Sequence, residues 1–300
     1  MGGSLLKTAL YVCAAALLML AVACKPATEP QQKEKPEAGK VNDQVSSELK
    51  SFEGMEGDIS IAGGTAHIPV MEAAQKTIMT AYPKISITVE GGGSGKGVEK
   101  VGAGTVDIGN AGRPLTEEEI AEYGLKSYPF AVDGVAVVVH PDNPVEDLST
   151  AQMINIYAGN ITNWKDVGGA DQAINIFTRE EGSGTRKTFW SKLLGKGKII
   201  EDASFVGSNG EMRLAIAGDP GAIGYVGIGH IDETVKAPKL DGVAPSQENA
   251  ASGAYPIVRK LYMNTKGEPS DLVKAFIDYI WSPDGQQFCA DAGYIPYKPE

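Results

Sequence analysis

Short apolar runs alternate with amphipathic stretches from Asp58 onward, and this alternation restricts the folds that the chain can adopt. Residues 85–89 form a β-branched run that predicts a strand, whereas residues 69–82 place apolar side chains at helical spacing. A repeated strand–helix order predicts an α/β fold with mainly parallel sheets and helices packed on them. About 240 residues follow the N-terminal segment, a length that favours two lobes over one.

The first 24 residues predict export and a lipid anchor. Lys7 precedes an apolar run over residues 9–23 that is too short to span a bilayer comfortably. The run ends in Leu-Ala-Val-Ala-Cys at residues 20–24, which resembles a bacterial lipobox. We therefore expect a lipoprotein signal peptide over 1–23, and a lipid such as palmitate on Cys24 that anchors the chain at the cell membrane, facing the periplasm or the cell exterior. The alternative is an ordinary secretory signal with an incidental cysteine.

Composition limits the chain further. Residues 24–56 are rich in Pro, Lys, Glu, Gln and Ser, which predicts a disordered tether. The net charge of −11 argues against nucleic acid as a partner. Cys289 has no expected disulfide partner once Cys13 leaves with the signal peptide and Cys24 carries the lipid. The three histidines lie far apart in the sequence, so no metal site and no cofactor are expected.

The segment from Arg179 to Trp190 predicts a binding site for an anion. Arg179 precedes the small turn Ser183-Gly184-Thr185, and this turn opens into a predicted helix. The first N–H groups of a helix have no internal partner and the helix dipole favours negative charge there, while a guanidinium suits the oxygens of a tetrahedral anion. A simple helix cap is the alternative, but a cap needs one hydroxyl rather than Ser-Gly-Thr behind an arginine.

A second glycine-rich loop repeats this design around Ser94. Residues 90–98 follow the predicted strand 85–89 and lead into a helix that is predicted to begin at Gly97. Ligands of open parallel sheets lie outside the carboxyl ends of the strands. The two loops are therefore expected to face each other across a cleft between the lobes.

Three side chains near these loops each leave two interpretations open. His67 either lines the anion site or is an ordinary loop histidine, and Arg113 either faces the ligand or forms a salt bridge. Glu181 either orients the guanidinium of Arg179 from behind or is a solvated loop carboxylate.

The serines do not fit the motifs of common catalytic sites. Ser94 and Ser183 lack the Gly-x-Ser-x-Gly pattern of a hydrolase, and Lys96 lacks the flanking residues of a nucleotide-binding phosphate loop. We therefore expect a binding protein rather than an enzyme.

Seven segments, in chain order, resemble the phosphate-binding lipoproteins that feed phosphate ABC importers. They are residues 63–69, 91–97, 106–109, 113–116, 156–164, 179–185 and 221–226. The resemblance covers the chain from Asp58 to the C-terminus. It implies a two-lobed periplasmic-binding-protein-like fold of type II, in which two crossing segments form a hinge and the lobes close on one phosphate ion.

The resemblance also implies the domain organisation and the binding residues. Lobe 1 is expected from residues 57–133 and 228–300, and lobe 2 from residues 134–227. The groups expected to bind phosphate are Ser94, Arg179, Ser183, Gly184 and Thr185, together with the loop of Thr65, Ala66 and His67. The implied partners are inorganic phosphate and the permease subunits of an ABC importer, with the protein acting as a monomer that meets the membrane only through its lipid.

Two departures from the family pattern bear on anion selectivity. Part of the family has an aspartate at the position of Gly112 that accepts the proton of hydrogen phosphate, and Ala66 and His67 stand where hydroxyl residues are common. Asp133, just before the predicted crossing strand, is the candidate for a substitute acceptor. A site for sulfate or molybdate, or a phosphate sensor without transport, is therefore an alternative, and a secreted phosphatase is a weaker one.

Overall fold

The computed structural model describes residues 46–299, which form eleven β-strands, nine α-helices and four 3₁₀ turns. The strands are β1 (Gly57–Gly63), β2 (Ile85–Gly92), β3 (Ile108–Ala111), β4 (Leu125–Val139), β5 (Asp147–Leu148), β6 (Asn175–Arg179), β7 (Ser204–Val206), β8 (Ala222–Gly227), β9 (Lys239–Leu240), β10 (Val258–Lys266) and β11 (Ile295–Pro296). The helices are α1 (Ile68–Ala81), α2 (Ser94–Gly102), α3 (Glu117–Tyr123), α4 (Thr150–Tyr157), α5 (Gly184–Lys192), α6 (Asn209–Ala217), α7 (Gln247–Ala251), α8 (Asp271–Ile280) and α9 (Pro283–Asp291). The predicted signal peptide and Cys24 lie outside the described residues.

Nine of the strands form one curled main sheet with the order β2-β1-β3-β10-β4-β8-β6-β7, and in it β11 pairs with β4. The strands β5 and β9 form a separate two-stranded sheet. At both ends of this sheet the neighbours are parallel, as the alternating strand–helix pattern predicted. In the middle, β4 is antiparallel to both β10 and β8. The two-lobed α/β fold class is therefore confirmed, with antiparallel pairing at its centre.

The long strand β4 connects the two halves of the sheet. Its first part pairs with β10 as far as Gly134, and its second part, from Val135 to Val139, pairs with β8. The sequence from Gly134 to Val139 is a run of Gly, Ala and Val that is buried throughout, as expected for a strand covered on both faces. The chain thus crosses between the lobes along β4.

Each half of the sheet has its own hydrophobic core. The first core packs α1 and α8 against β1 and β2 and includes Ile59, Met71 and Phe276. The second core includes Trp164 and Phe189, and the ring of Phe189 stacks on that of Tyr225 with centroids 4.0 Å apart. Two separate cores are what allows a two-lobed protein to move its lobes as bodies.

The lobe boundaries stay a prediction at the residue level. Leu240, Tyr255 and Ile257 pack in the second core, and β9 pairs with β5 of the second half. This packing favours a return crossing close to the start of β10, whereas the predicted boundary lies at residue 228. The sequence did not indicate it because the segment from 228 to 257 has little regular structure of its own.

The tether prediction over 24–56 is wrong for its last part. Residues Ser47–Phe52 form a 3₁₀ helix, and the side chain of Phe52 is fully buried in the first core. Its ring meets that of Tyr279 edge-on at 5.8 Å. Two apolar residues, Leu49 and Phe52, lie three positions apart and share one face of the 3₁₀ turn. The polar composition of the surrounding residues does not indicate this short buried 3₁₀ turn.

Helix α2 begins at Ser94, three residues before the predicted start. Its first turn contains Gly95 and Gly97, which a sequence pattern treats as loop. A Cβ atom on Gly97 would lie 2.5 Å from the carbonyl oxygen of Asn110 and 2.9 Å from that of Ala62. The glycine therefore lets the helix start pack directly against β1 and β3.

No helix within residues 46–299 is both long and apolar enough to cross a bilayer.

Candidate functional site

The two glycine-rich loops meet at a small cavity of about 10 Å³ between the lobes. This volume is far below the ~300–1,000 Å³ of sites for larger organic ligands. Its lining contains two arginines and no carboxylate. The lining residues are Gly64, Thr65, Ala66, His67, Gly93, Ser94, Gly112, Arg179, Ser183, Gly184, Thr185 and Arg259.

Helix starts from both lobes point at the cavity. Helix α5 begins at Gly184 after the cap Ser183, whose Oγ accepts a hydrogen bond from the N–H of Arg186 at 3.2 Å. Helix α2 begins at Ser94, and the 3₁₀ turn Thr65–His67 leads into α1. Each helix start brings N–H groups and the positive end of a dipole, so the backbone alone favours an anion here.

The four hydroxyl groups of the lining can each donate a hydrogen bond to a ligand. Each of the four hydroxyl oxygens already accepts a hydrogen bond from a protein N–H. The pairs are Thr65 with Asn209 Nδ2 at 3.1 Å, Ser94 with Gly112 N at 2.9 Å, Ser183 with Arg186 N at 3.2 Å and Thr185 with Arg259 Nη1 at 2.9 Å. Because a hydroxyl has one proton to give, each of these groups retains its O–H for a ligand acceptor.

Arg179 is a buried cation in which one guanidinium nitrogen, Nη1, makes no hydrogen bond to the described residues. Its side chain is 2 % exposed, its Nε donates to the Val206 carbonyl at 3.0 Å, and its Nη2 donates to the Gly207 carbonyl at 2.6 Å. Nη1 has no protein partner within the described residues. Burial lowers the pKa of Arg179 to about 10, so the guanidinium stays charged at neutral pH. A buried charge of this kind requires a compensating anion.

Arg259 is the lining residue that the sequence analysis missed. Its Nε and Nη2 donate to Oδ2 of Asp133 at 3.0 and 2.8 Å, and its Nη1 donates to Thr185 Oγ1 at 2.9 Å. Asp133 is fully buried, and burial raises the pKa of its carboxyl against the opposing charge of Arg259. Arg259 lies in β10, 126 residues from Asp133, so no local pattern connects the two.

Three predicted residues lie outside the cavity lining. The guanidinium of Arg113 pairs with Glu119 at 2.7 and 2.6 Å, which matches the salt-bridge interpretation. Glu181 is exposed, and its Oε1 lies 3.7 Å from Nη1 of Arg186 rather than beside Arg179. Asp133 stands behind Arg259 and orients it. The other predicted residues, from Thr65 to Thr185, line the cavity together.

His67 lines the cavity as a neutral, buried ring. Its Nδ1 donates to the Gly64 carbonyl at 3.1 Å, and its ring lies 5.5 Å from that of Phe130. Burial, reinforced by the charge of Arg259, lowers the pKa of His67 to about 3. Burial likewise lowers the pKa of His230 to about 4. Both histidines are therefore uncharged in the folded protein at neutral pH.

Because these two histidines are uncharged in the folded protein, we expect the free energy of unfolding to fall in mild acid. The unfolded chain protonates them near their ordinary pKa of about 6.5, whereas the folded protein does not, so the unfolded state binds more protons as the pH drops. We expect the free energy of unfolding to decrease by about 2 kcal/mol between pH 7 and pH 5.5, above the range in which carboxylates titrate. Urea denaturation at the two pH values measures this. The double variant His67→Gln/His230→Gln should lose most of the pH dependence, and an unchanged dependence would contradict the assignment.

Comparison with known proteins gives consistent matches. The family model of the PBP superfamily domain matches residues 28–284. The phosphate-binding protein PstS of Bacillus subtilis strain 168 is 37 % identical over 293 residues, which cover 97 % of this chain and 94 % of that protein. A Clostridium perfringens structure with bound phosphate, described as a phosphate ABC transporter substrate-binding protein, is 36 % identical with a TM-score of 0.77, over 81 % of this chain and 100 % of that one. An ABC-type phosphate transport receptor of Vibrio cholerae is 34 % identical with a TM-score of 0.65, over 79 % and 99 % of the two chains.

Proposed function

This chain belongs to the PBP superfamily and to the family of the phosphate-binding protein PstS, and from that premise we propose that it captures inorganic phosphate in the cavity between its lobes and delivers it to an ABC importer. Its relatives are binding proteins of a transporter, which supports a role in transport rather than catalysis. The proposed phosphate-binding residues are Thr65, Ala66, His67, Ser94, Arg179, Ser183, Gly184 and Thr185, with Arg259 added from the structure.

One observation carries the proposal: the lining brings two arginines, four hydroxyl groups and the starts of two helices to one cavity, and it has no carboxylate to repel an anion. The unused Nη1 of Arg179 supplies fixed positive charge, and the four hydroxyls and the helix starts supply neutral donors. A micromolar Kd corresponds to about 8 kcal/mol. A few charge-assisted hydrogen bonds of ~1.5–3 kcal/mol each are enough to reach it after the cost of ordering the lobes.

Closure of the lobes is the proposed trapping step. Three hydrogen bonds already join the two sides of the cavity: Gly95 N to the Gly182 carbonyl at 2.9 Å, Asn209 Nδ2 to Thr65 at 3.1 Å and Arg259 Nη1 to Thr185 at 2.9 Å. A dianion held between the lobes adds attraction to both sides. It therefore shifts the population toward the closed state, because only that state offers all the donors at once.

Anion titration tests the proposed substrate. We expect phosphate to bind with micromolar or lower Kd in calorimetry at pH 7, after endogenous ligand has been removed by unfolding and refolding, and sulfate and molybdate to bind more weakly. The lining offers no carboxylate at Gly112 or elsewhere to accept the proton of hydrogen phosphate. The ratio of the sulfate Kd to the phosphate Kd therefore measures how strongly other groups of the site select phosphate. Tighter binding of sulfate or molybdate would overturn phosphate as the substrate, and absence of binding to all three would overturn the binding role.

Membrane attachment is a separate part of the proposal. We propose that the exported chain acts as a monomer tethered through lipid on Cys24, which brings the closed lobes to the permease subunits of the importer. Cys24→Ser should release the protein from the membrane fraction into the soluble extracytoplasmic fraction, because a lipid chain supplies the only proposed anchor. A Cys24→Ser protein that stays in the membrane fraction after a salt wash would contradict lipid anchoring.

A further inference from the structure

A second and much larger cavity lies on the outer side of the small one. It has a volume of about 690 Å³ and is bounded by α5, by the segment 113–116 and by one face of the β4–β10 pair. We call it the outer groove and define it by Arg113, Leu115, Lys187, Lys192, Lys260 and Tyr262. Arg259 belongs to the linings of both cavities and forms the wall between them.

The floor of the outer groove is apolar for a simple geometric reason. On β10, residues Val258, Lys260 and Tyr262 alternate and so lie on the same face of the strand. Val132 of β4 is the register partner of Lys260 and adds a second apolar side chain to that face. Leu115 closes the floor from the neighbouring segment. These side chains are partly exposed because nothing within residues 46–299 covers them.

The rim of the outer groove is positively charged in a chain whose net charge is −11. Lys187 and Lys192 project from the exposed face of α5, and within the described residues neither has a carboxylate within 4 Å. The ammonium of Lys260 lies 4.0 Å from the ring centroid of Tyr297, which leaves its charge in place. Two arginines of the lining are neutralised, Arg113 by Glu119 and Arg259 by Asp133. No Asp or Glu lines the groove.

From this combination we infer that the outer groove is a second binding site, for a small organic anion with a flat apolar body and one acidic head group. A volume of about 690 Å³ lies within the ~300–1,000 Å³ typical of such ligands. An inorganic anion would leave the apolar floor in contact with water, and a neutral apolar molecule would bury it without pairing the lysines. The inference stands independently of the proposed phosphate function, because the lysines and apolar side chains that carry it do not line the small cavity.

The fluorescent probe 8-anilinonaphthalene-1-sulfonate has this chemistry, and N-phenyl-1-naphthylamine has the same apolar body without the acid. We expect the sulfonate probe to bind saturably, one per protein, with a blue-shifted emission, and the neutral probe to bind about tenfold more weakly or less. Phosphate at saturating concentration should leave the sulfonate probe bound, because the two ligands occupy different cavities.

A matched pair of charge variants makes the test specific. Lys187→Glu/Lys192→Glu should weaken binding of the sulfonate probe at least about tenfold and leave the phosphate Kd within about threefold of wild type. The control Lys76→Glu/Lys239→Glu makes the same charge change on exposed lysines outside the groove and should leave probe binding within about twofold. Circular dichroism and thermal unfolding check that both variants fold. Equal probe affinity in the two double variants, absence of saturable binding, or displacement of the probe by phosphate in a one-to-one ratio would each overturn the inference.

Discussion

Replacing Arg179 with alanine is expected to lower the affinity for phosphate by about 10- to 150-fold. The guanidinium contributes a charge-assisted hydrogen bond through its unused Nη1, and removal of such a bond costs ~1.5–3 kcal/mol. Val206 and Gly207 hold the other two nitrogens through their carbonyl oxygens, so the donor needs no reorientation on binding. Calorimetric titration with phosphate measures the loss. Arg179→Lys should fall between wild type and alanine, because it keeps a charge but not the planar fork.

The control for this variant is Arg213→Ala. Arg213 forms an ion pair with Asp232 at 2.8 Å, is about one-third exposed, and lies outside the cavity lining. Its replacement should leave the phosphate Kd unchanged within about twofold, since exposed ion pairs contribute ~0–1 kcal/mol to stability and nothing to this site. Loss of the two carbonyl hydrogen bonds in Arg179→Ala also lowers stability, and thermal unfolding separates that effect from binding. Wild-type phosphate affinity in a folded Arg179→Ala protein would refute the assignment of the site.

The second large effect is expected from Gly184→Ala, which tests closure. A Cβ atom at residue 184 would lie 2.3 Å from Oγ of Ser94 and 3.2 Å from the backbone of Gly112. Those atoms belong to the first lobe and Gly184 to the second, so separation of the lobes relieves the collision without unfolding either core. We expect phosphate affinity to fall at least about tenfold, because the open state lacks part of the donor set.

The free energy of unfolding distinguishes impaired lobe closure from impaired folding. Alanine is the better helix former by up to ~1 kcal/mol, so Gly184→Ala should leave the free energy of unfolding equal to that of wild type or slightly higher. Gly210→Ala is the matched control, because it also substitutes a glycine in the first turn of a helix and its Cβ would meet nothing closer than 3.8 Å. Small-angle scattering with excess phosphate should show wild type and Gly210→Ala more compact than Gly184→Ala. Normal phosphate affinity in Gly184→Ala would contradict the closed arrangement.

Much of the candidate site was predictable because its signals are local. Ser183 caps α5 within three residues of its N–H partner, and the position of Ser94 between a strand and a helix is visible in the sequence itself. Short-range hydrogen bonding and side-chain periodicity act over one or two turns, so a single sequence carries them. The same holds for the buried run after Asp133, whose composition predicts a covered strand.

Contacts between residues that are far apart in the sequence could not be predicted in this way. Arg259 lies within β10 and Arg113 lies just after β3, and the sequence alone does not show which of the two lines the cavity. Arg259 reaches the site because β10 pairs with β4 and places it beside Asp133, whereas Arg113 has a carboxylate six residues away. The burial of Phe52 against α8 was invisible for the same reason.

The sequence by itself therefore determined the elements, their order and the two anion-binding loops, since capping, periodicity and glycine placement are local properties of the chain. Only the tertiary structure decided which charges face the cavity and which are neutralised, because a side chain's electrostatic role depends on its partners, and Asp133 and Arg259 are more than a hundred residues apart in sequence. It also decided that the outer groove exists at all, since its floor and rim come from segments that meet only in the folded protein.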